Sequence, residues 1–353
     1  MAGSGITIFD IAREAGVSIA TVSRAFSEQY NPRSRKQRFV REIAEKYNYT
    51  PNMAARALGS GSSRTLAIVM QNITNPYYSE LFSYAEAEAS RRGYALLLQR
   101  LHDDSDDYRP LVDQLISRRP DGLIVTGSIV ERPVTEAKVR ALEDLARYMP
   151  VVALGLPMPQ VPCISIQCDM QVVGAKQVRH LHALGHRRIA MIGGADANCN
   201  AHDREQGYNE TMRSLGLEPR FEERTRSGHT PEDGVAGVLR TFNDARSTWP
   251  TALCCNNDLV ALGALRQLDR MGLCVPRDIA VVGCDNQFFS PFTLPPLTTL
   301  DLGLSEQGRL AVEYALENPR GSSFHHAVDS TLIIRDSCGA SPGSRRPQGE
   351  LSL

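Results

Sequence analysis

Seven short apolar runs punctuate the chain after residue 64, with helical stretches between them. They are Leu66–Met70, Ala95–Leu98, Gly122–Thr126, Val151–Leu154, Ile189–Gly194, Ala252–Cys255 and Ile279–Gly283. Their length and unbroken apolar character suit strands covered on both faces. The stretches Ser79–Arg92, Met170–Leu184, Arg204–Leu215 and Asp258–Met271 read as helices. Strand alternating with helix predicts doubly wound parallel sheets. The pattern runs for about 270 residues, more than one compact sheet holds, and so predicts two lobes.

Composition narrows the function classes. With 42% apolar and 22% charged residues the chain has a soluble globular profile. No run of 18 apolar residues occurs, so no membrane span is expected. The start, MAGSGITIFD, has neither a basic nor an apolar signal region, and a cytoplasmic location is expected. The eight cysteines form no Cys-x-x-Cys pair, and buried reduced thiols are expected, with no metal site and no disulfide. No phosphate-binding glycine loop, nucleophile elbow or His-Glu-x-x-His occurs, and nothing in their spacing forces Ser128, His202 and Asp203 together. Neither an enzyme nor a cofactor is expected.

The charge is unevenly spread. Residues 1–60 carry nine basic and five acidic side chains, a surplus of four, which leaves −5 on the rest of a chain whose net charge is −1. A basic head on an acidic body fits a polyanionic partner for the head. Thr7 and Asp10 form a capping box before a helix carrying Ile8, Ile11, Ala12 and Ala15 on one face. Gly16 ends that helix, and Ser18 caps a second one from Ile19 to Phe26. Two short helices around a glycine turn make a helix-turn-helix, whose second helix enters the major groove; any helical hairpin with a polar face has the same spacing. In the DNA reading Ile19 and Ala20 meet thymine methyls, Arg24 reads guanine, and Ser18, Thr21 and Ser23 meet phosphates. Val22 and Ala25 face the core. A third helix is predicted from Ser34 to Tyr47, with Phe39, Val40, Ile43, Ala44 and Tyr47 as its apolar stripe.

The segments TIFDIAREAGVSIATVSRAF and YNYTPNMAARAL resemble the head of the lac-repressor (LacI/GalR) family of bacterial transcription regulators. The resemblance implies a hinge helix between Pro51 and Leu58 that folds on operator DNA. Leu58 would be its minor-groove wedge, Ala54 and Ala55 would pack across a dyad, and Thr7, Tyr49 and Asn52 would complete the DNA-facing set. The sequence departs from the family's Ser-x-x-Thr-Arg at the third helix, where Arg33, Lys36 and Gln37 stand, so roles in 30–38 stay open.

In open α/β sheets ligands sit beyond the carboxyl ends of the strands. The loops there are QNITNPYY, GS, ADANCNAHDR, NND and CDNQFF. Amides, carboxylates and aromatics of this kind suit a polyhydroxy ligand. The segments NITNPYYSEL, LGHRRIAMIGG, CNNDLVALGAL and PPLTTLDLGLSEQGRLAVE extend the family resemblance over about residues 5–337. It implies a core similar to periplasmic sugar-binding proteins, with Arg204, Asn257 and Asp285 at effector positions and Tyr77 and Tyr78 near the cleft. The plainer roles stay open beside these: Asp285-Asn286 as a turn pair, Asn257 as a backbone partner, Tyr77 as core, and Asp258 as a helix cap.

The reading is a ligand-responsive repressor of carbohydrate or sugar-acid genes, binding a pseudo-palindromic operator as a homodimer. A soluble sugar receptor without DNA binding is the alternative. The expected parts are a head (1–50), a hinge and linker (51–63), a core (64–337) and a disordered tail (338–353) without leucine heptads. Lobe 1 is expected over 64–165 and 296–318, and lobe 2 over 166–295 and 319–337.

Overall fold

The computed structural model describes residues 6–26, 30–50, 62–101, 107–130, 134–194, 199–219, 228–243 and 246–340. Two compact units divide the chain, residues 1–65 and 66–353. Asn52, Ala55 and Leu58 of the expected hinge, and the tail beyond Ala340, lie outside the described residues.

The first unit holds three helices, α1 (Ile8–Ala15), α2 (Ile19–Ala25) and α3 (Arg35–Lys46). The Thr7–Asp10 capping box closes as the sequence predicts, and Gly16 takes φ 62 at the end of α1, a left-handed turn that favours glycine. Ser18 and Ser34 cap α2 and α3. Ile11, Ala12, Val22, Ala25, Val40, Ile43 and Ala44 form one small core. Phe39 departs from the predicted stripe: it is 48% exposed, because Val40 and Ile43 already turn the packed face of α3 inward. Lys46 and Tyr47 both bond Glu14 at 3.0 Å, tying α3 to α1.

The second unit is two sheets. Lobe 1 has the order β10-β5-β4-β3-β1-β2, and lobe 2 the order β11-β9-β8-β7-β6. In lobe 1 the strands are β1 (Thr65–Met70), β2 (Ala95–Arg100), β3 (Gly122–Thr126), β4 (Val151–Leu154), β5 (Ile164–Cys168) and β10 (His325–Val328). Lobe 2 holds β6 (Ile189–Ile192), β7 (Ala252–Cys255), β8 (Ala280–Cys284), β9 (Thr298–Asp301) and β11 (Thr331–Ile333). Neighbours from β6 to β9 pair parallel, whereas β11 pairs antiparallel with β9 at the sheet's edge.

Side-chain alternation fills both faces of each sheet. In β1, Ala67 and Val69 enter one core while Leu66, Ile68 and Met70 enter the other. In lobe 2, Met191 and Cys254 pack on one face, and Ile192, Leu253 and Cys255 on the other. The apolar runs of the interior strands are unbroken because neither face meets water, whereas the edge strand β2 is partly exposed, Leu98 by 37%.

The chain crosses between lobes three times: from β5 to α7 (Met170–Ala183), from β9 to α11 (Leu304–Glu317), and from β10 to β11. These crossings correct the expected lobe limits. Residues 298–301 pair with β8 in lobe 2, not lobe 1, and residues 325–328 pair with β5 in lobe 1, not lobe 2. The swap follows from register, since helix α11 packs into the lobe 1 core through Leu310, Ala311 and Val312 while the strand before it completes the other sheet. The tail limit also moves, because Cys338 and Ala340 are buried in the lobe 2 core. Among the thiols, Cys274 is exposed rather than buried as expected.

Candidate DNA-reading face and effector cleft

In the head, capping decides which side chains of α2 remain on the surface. Ser18 accepts from the Thr21 amide, which starts the helix with Ile19, Ala20, Ser23 and Arg24 exposed and with Val22 and Ala25 buried. Ile19, 42% exposed, is a branched apolar side chain turned to solvent, suited to a thymine methyl. Arg24 lies along its own helix, its Nε donating to the Ala20 carbonyl at 3.2 Å. Thr7 serves the cap of α1, its hydroxyl donating to Asp10 at 2.6 Å. Tyr49 is half-buried, edge-on to Phe26 at 6.0 Å, and burial raises its phenol pKa. Arg33, Arg35, Lys36 and Arg38 are exposed around the start of α3, where the helix dipole disfavours cations, an arrangement that suits a nearby phosphate. The sequence reading missed Arg41, which donates to the Ala25 carbonyl at 2.9 Å and covers the Tyr30 ring at 3.6 Å.

In the second unit Tyr77, Tyr78, Arg204, Asn257 and Asp285 all line one cavity of about 920 Å³. Helix α4 (Pro76–Arg91) starts earlier than the predicted Ser79 because Asn75 caps it, accepting from the Tyr77 amide. That puts both tyrosines in its first turn, with rings edge-on at 5.1 Å. Tyr77 packs against the cores of both lobes.

Arg204 comes from α8 (Cys199–Ser214), which starts a turn before the predicted Arg204. It is 5% exposed. Its Nη2 donates to Asn256 Oδ1 at 3.0 Å, its Nη1 to Cys284 Sγ at 3.3 Å, and Asp285 Oδ1 lies 3.9 Å away. Asp285 follows β8 with φ 107, and Asn286 with φ 50, conformations that non-glycine residues adopt at a cost and that gather at functional sites. Burial pushes the Asp285 carboxyl up to about 8, against the pull of Arg204.

The Asn-Asn-Asp run divides its roles differently from the sequence expectation. Asn257 is the cap of α10 (Asp258–Arg270): Oδ1 accepts from the Val260 amide and Nδ2 donates to the His229 carbonyl. Its backbone-satisfying role and its place on the cavity wall coexist. Asn256, which the sequence reading passed over, is the residue bonded to Arg204. Asp258 is not the cap. Its buried carboxylate accepts from Thr299 Oγ1 at 2.6 Å, Ser290 Oγ at 2.5 Å and the Gln287 amide at 2.9 Å. A Cβ at Gly283 would lie 2.2 Å from Asp258 Oδ1, so that close approach requires glycine. His229 was also missed. It lines the cavity, and burial, helped by Arg204, holds its pKa down to about 4.

A family model for the bacterial regulatory proteins of the lacI family matches residues 7–52. One for the periplasmic binding protein-like domain matches residues 178–338. The HTH-type transcriptional repressor CytR of Escherichia coli (strain K12) is 30% identical over 339 residues, covering 95% of this chain and 97% of CytR. The chain belongs to the LacI family.

Within that family the HTH-type transcriptional repressor PurR of Pasteurella multocida (strain Pm70) is 29% identical over 336 residues, covering 94% of this chain and 98% of PurR. The crystal structure of the lac repressor dimer bound to operator and the anti-inducer ONPF superposes with a TM-score of 0.84 at 25% identity, covering 96% of this chain and all of that one. This LacI-family chain is thus a DNA-binding transcriptional repressor with a ligand-binding core. Among the described residues no helix is long and apolar enough to cross a membrane.

Proposed function

We propose that this LacI-family repressor is a homodimer whose operator affinity is set by a small polyhydroxy effector, a sugar or sugar acid, held between the lobes. The observation that carries the reading is the Arg204–Asp285 pair, 3.9 Å apart in the wall of a cavity of about 920 Å³. A guanidinium and a carboxyl side by side bond adjacent hydroxyls, one giving and one receiving. The half-buried tyrosines Tyr77 and Tyr78 supply apolar surface at the first lobe's side of the cavity. Because the chain crosses between the lobes three times, a ligand touching both changes their angle and favours one lobe arrangement over the other. In this reading residues 51–63 carry that change to the head, and Leu58 wedges the minor groove at the centre of a pseudo-palindromic operator.

Exposed apolar side chains on lobe 2 favour a dimer. Leu239, Leu262, Phe292 and Leu294 are 52%, 37%, 81% and 91% exposed. We assign these side chains to the dimer contact, and the similar lac repressor structure is a dimer on its operator.

The test is thermal denaturation of the full-length chain with ribose, glucose, gluconate and adenine in turn. A ligand present at a hundred times its dissociation constant adds about 2.7 kcal/mol of stability. A shift with a sugar or sugar acid, lost in Asp285→Ala, supports the reading. A shift with adenine alone moves the effector out of the carbohydrate class, and no shift with any of them removes the effector proposal.

A further inference from the structure

Helix α2 carries the exposed Ile19, Ala20, Ser23 and Arg24, yet it is only seven residues long and enters the head core through two buried side chains, Val22 and Ala25. A helix this short is marginal without further tertiary support. That support comes from α3, at the point where the chain leaves α2. Arg41 Nε donates to the Ala25 carbonyl at 2.9 Å. Carbonyls of a last helical turn lack partners within their helix, and a cation beside them is favoured. The same guanidinium lies 3.6 Å from the centroid of the Tyr30 ring and 6.0 Å from that of Phe26. One turn earlier on α3, Gln37 Oε1 accepts from the Asn31 amide at 2.6 Å, and Asn31 Oδ1 accepts from the Arg33 amide at 2.9 Å. Gln37 and Arg41 are four residues apart, so they share one face of α3. Phe26 in turn meets Tyr49 edge-on at 6.0 Å, two residues before Pro51, where the expected hinge begins.

The fold of the head has other supports. Val40, Ile43 and Ala44 hold α3 in the core, and Lys46 and Tyr47 tie it to Glu14. Arg41 is half-buried and acts on the exit of α2 alone. A side chain reads a base edge only when the helix that carries it is held to a fraction of an ångström by a supporting shell. We propose that Arg41 is a positioning residue for sequence reading: with Gln37 it clamps the exit of α2, so that Ile19, Ala20 and Arg24 meet the major groove in one fixed orientation. Lysine does not replace it, because a compact ammonium has no flat face for the Tyr30 ring and no donor at the Nε position. The partner is duplex DNA, and Arg41 governs the choice among sequences rather than the hold on the backbone. The inference is independent of what the cleft binds.

The test uses the full-length chain and two duplexes of equal length, one selected by wild type from a random library and one with the same bases scrambled. Dissociation constants are measured by fluorescence anisotropy over a series of salt concentrations for wild type, Arg41→Met, Tyr30→Leu and the double variant. Methionine keeps an unbranched stem and removes both the donor and the flat cation. The expected result is that Arg41→Met binds the selected duplex about tenfold more weakly, a loss within the worth of one base contact. The scrambled duplex should be bound about as tightly as by wild type, with the same salt slope. Tyr30→Leu should lose a similar factor on the selected duplex, and the double variant no more than either alone, because the two act through one contact. Equal weakening on both duplexes with a shallower salt slope makes Arg41 a phosphate ligand and overturns the proposal. Equal weakening on both with faster hydrogen exchange throughout α1, α2 and α3 makes the residue structural and also overturns it. Wild-type affinity in Arg41→Met, or additive losses in the double variant, removes the clamp.

Discussion

Asp285 Oδ1 stands 3.9 Å from Arg204 Nη1, with both side chains at least nine-tenths buried. The distance is an ion pair's but not a hydrogen bond's, and Arg204 spends its shorter contacts on Asn256 and Cys284. Asp285 is thereby held near the cation in the cavity wall. Removing this mostly protonated carboxyl in Asp285→Ala takes a polar neighbour from the buried guanidinium and should cost about 1–3 kcal/mol of stability near neutral pH. Urea denaturation checks this, and a loss below about 1 kcal/mol would mean that Arg204 is balanced elsewhere.

The same carboxyl gives a pH signature. The folded protein raises the Asp285 pKa from 3.8 to about 8, so between those values the folded state holds a proton that the unfolded chain has lost. Stability from this group is present at low pH and falls as pH rises through that window. Asp285→Asn, which mimics the protonated form, removes the slope while leaving the contributions of Asp258 and His229 in place. The Tm of wild type minus that of Asp285→Asn should fall from pH 5 to about pH 8; a difference that rises or stays flat contradicts the assignment.

Asp258 satisfies three donors in the interior of lobe 2, from Thr299, Ser290 and the Gln287 amide. Asp258→Ala strands all three, and each unpaired donor costs about 1–3 kcal/mol. The expected loss is at least about 3 kcal/mol, seen as a lower urea midpoint with little change in slope. Asp258→Asn, which keeps acceptor oxygen, should lose less.

How much of this was legible in sequence depended on whether the signal was local. Caps at Thr7, Ser18 and Ser34 use atoms three residues apart, and all three formed. Strands buried on both faces announced themselves as apolar runs, whereas β9 (TTLD) and β10 (HHAV) carry polar side chains and gave no such signal. Missing them is what misplaced the lobe limits. The five expected effector residues do line one cavity. The choice between Asn256 and Asn257 was not legible, because only the helix start decides which amide caps and which faces Arg204. His229 was hidden for a related reason: Thr230 and Asp233 beside it form a capping box, which accounts for the segment without reference to a ligand.

In the head, Ser18 capping leaves Arg24 exposed on α2 beside Ala20. Arg24→Ala should relax preference at one base pair per half-site by about 1–3 kcal/mol. Operator variants changed one base at a time, measured by fluorescence anisotropy at fixed salt, distinguish this from a uniform loss, which would make Arg24 a phosphate contact.

The exposed side chains Phe292 and Leu294 are expected to be covered in a dimer. Leu294→Asp should give monomers at micromolar concentration by sedimentation equilibrium while wild type remains a dimer, and should weaken operator binding through loss of the second half-site. A wild-type tetramer or monomer contradicts the assembly.

The central claim is that the cleft and the operator are coupled. The most direct measurement is the operator dissociation constant of the full-length chain, at one salt concentration, with and without a saturating ligand identified by thermal shift. The account predicts a change of about 5–150-fold, in either direction, that disappears in Asp285→Ala. An operator affinity that is the same with and without a ligand known to occupy the cleft would contradict it.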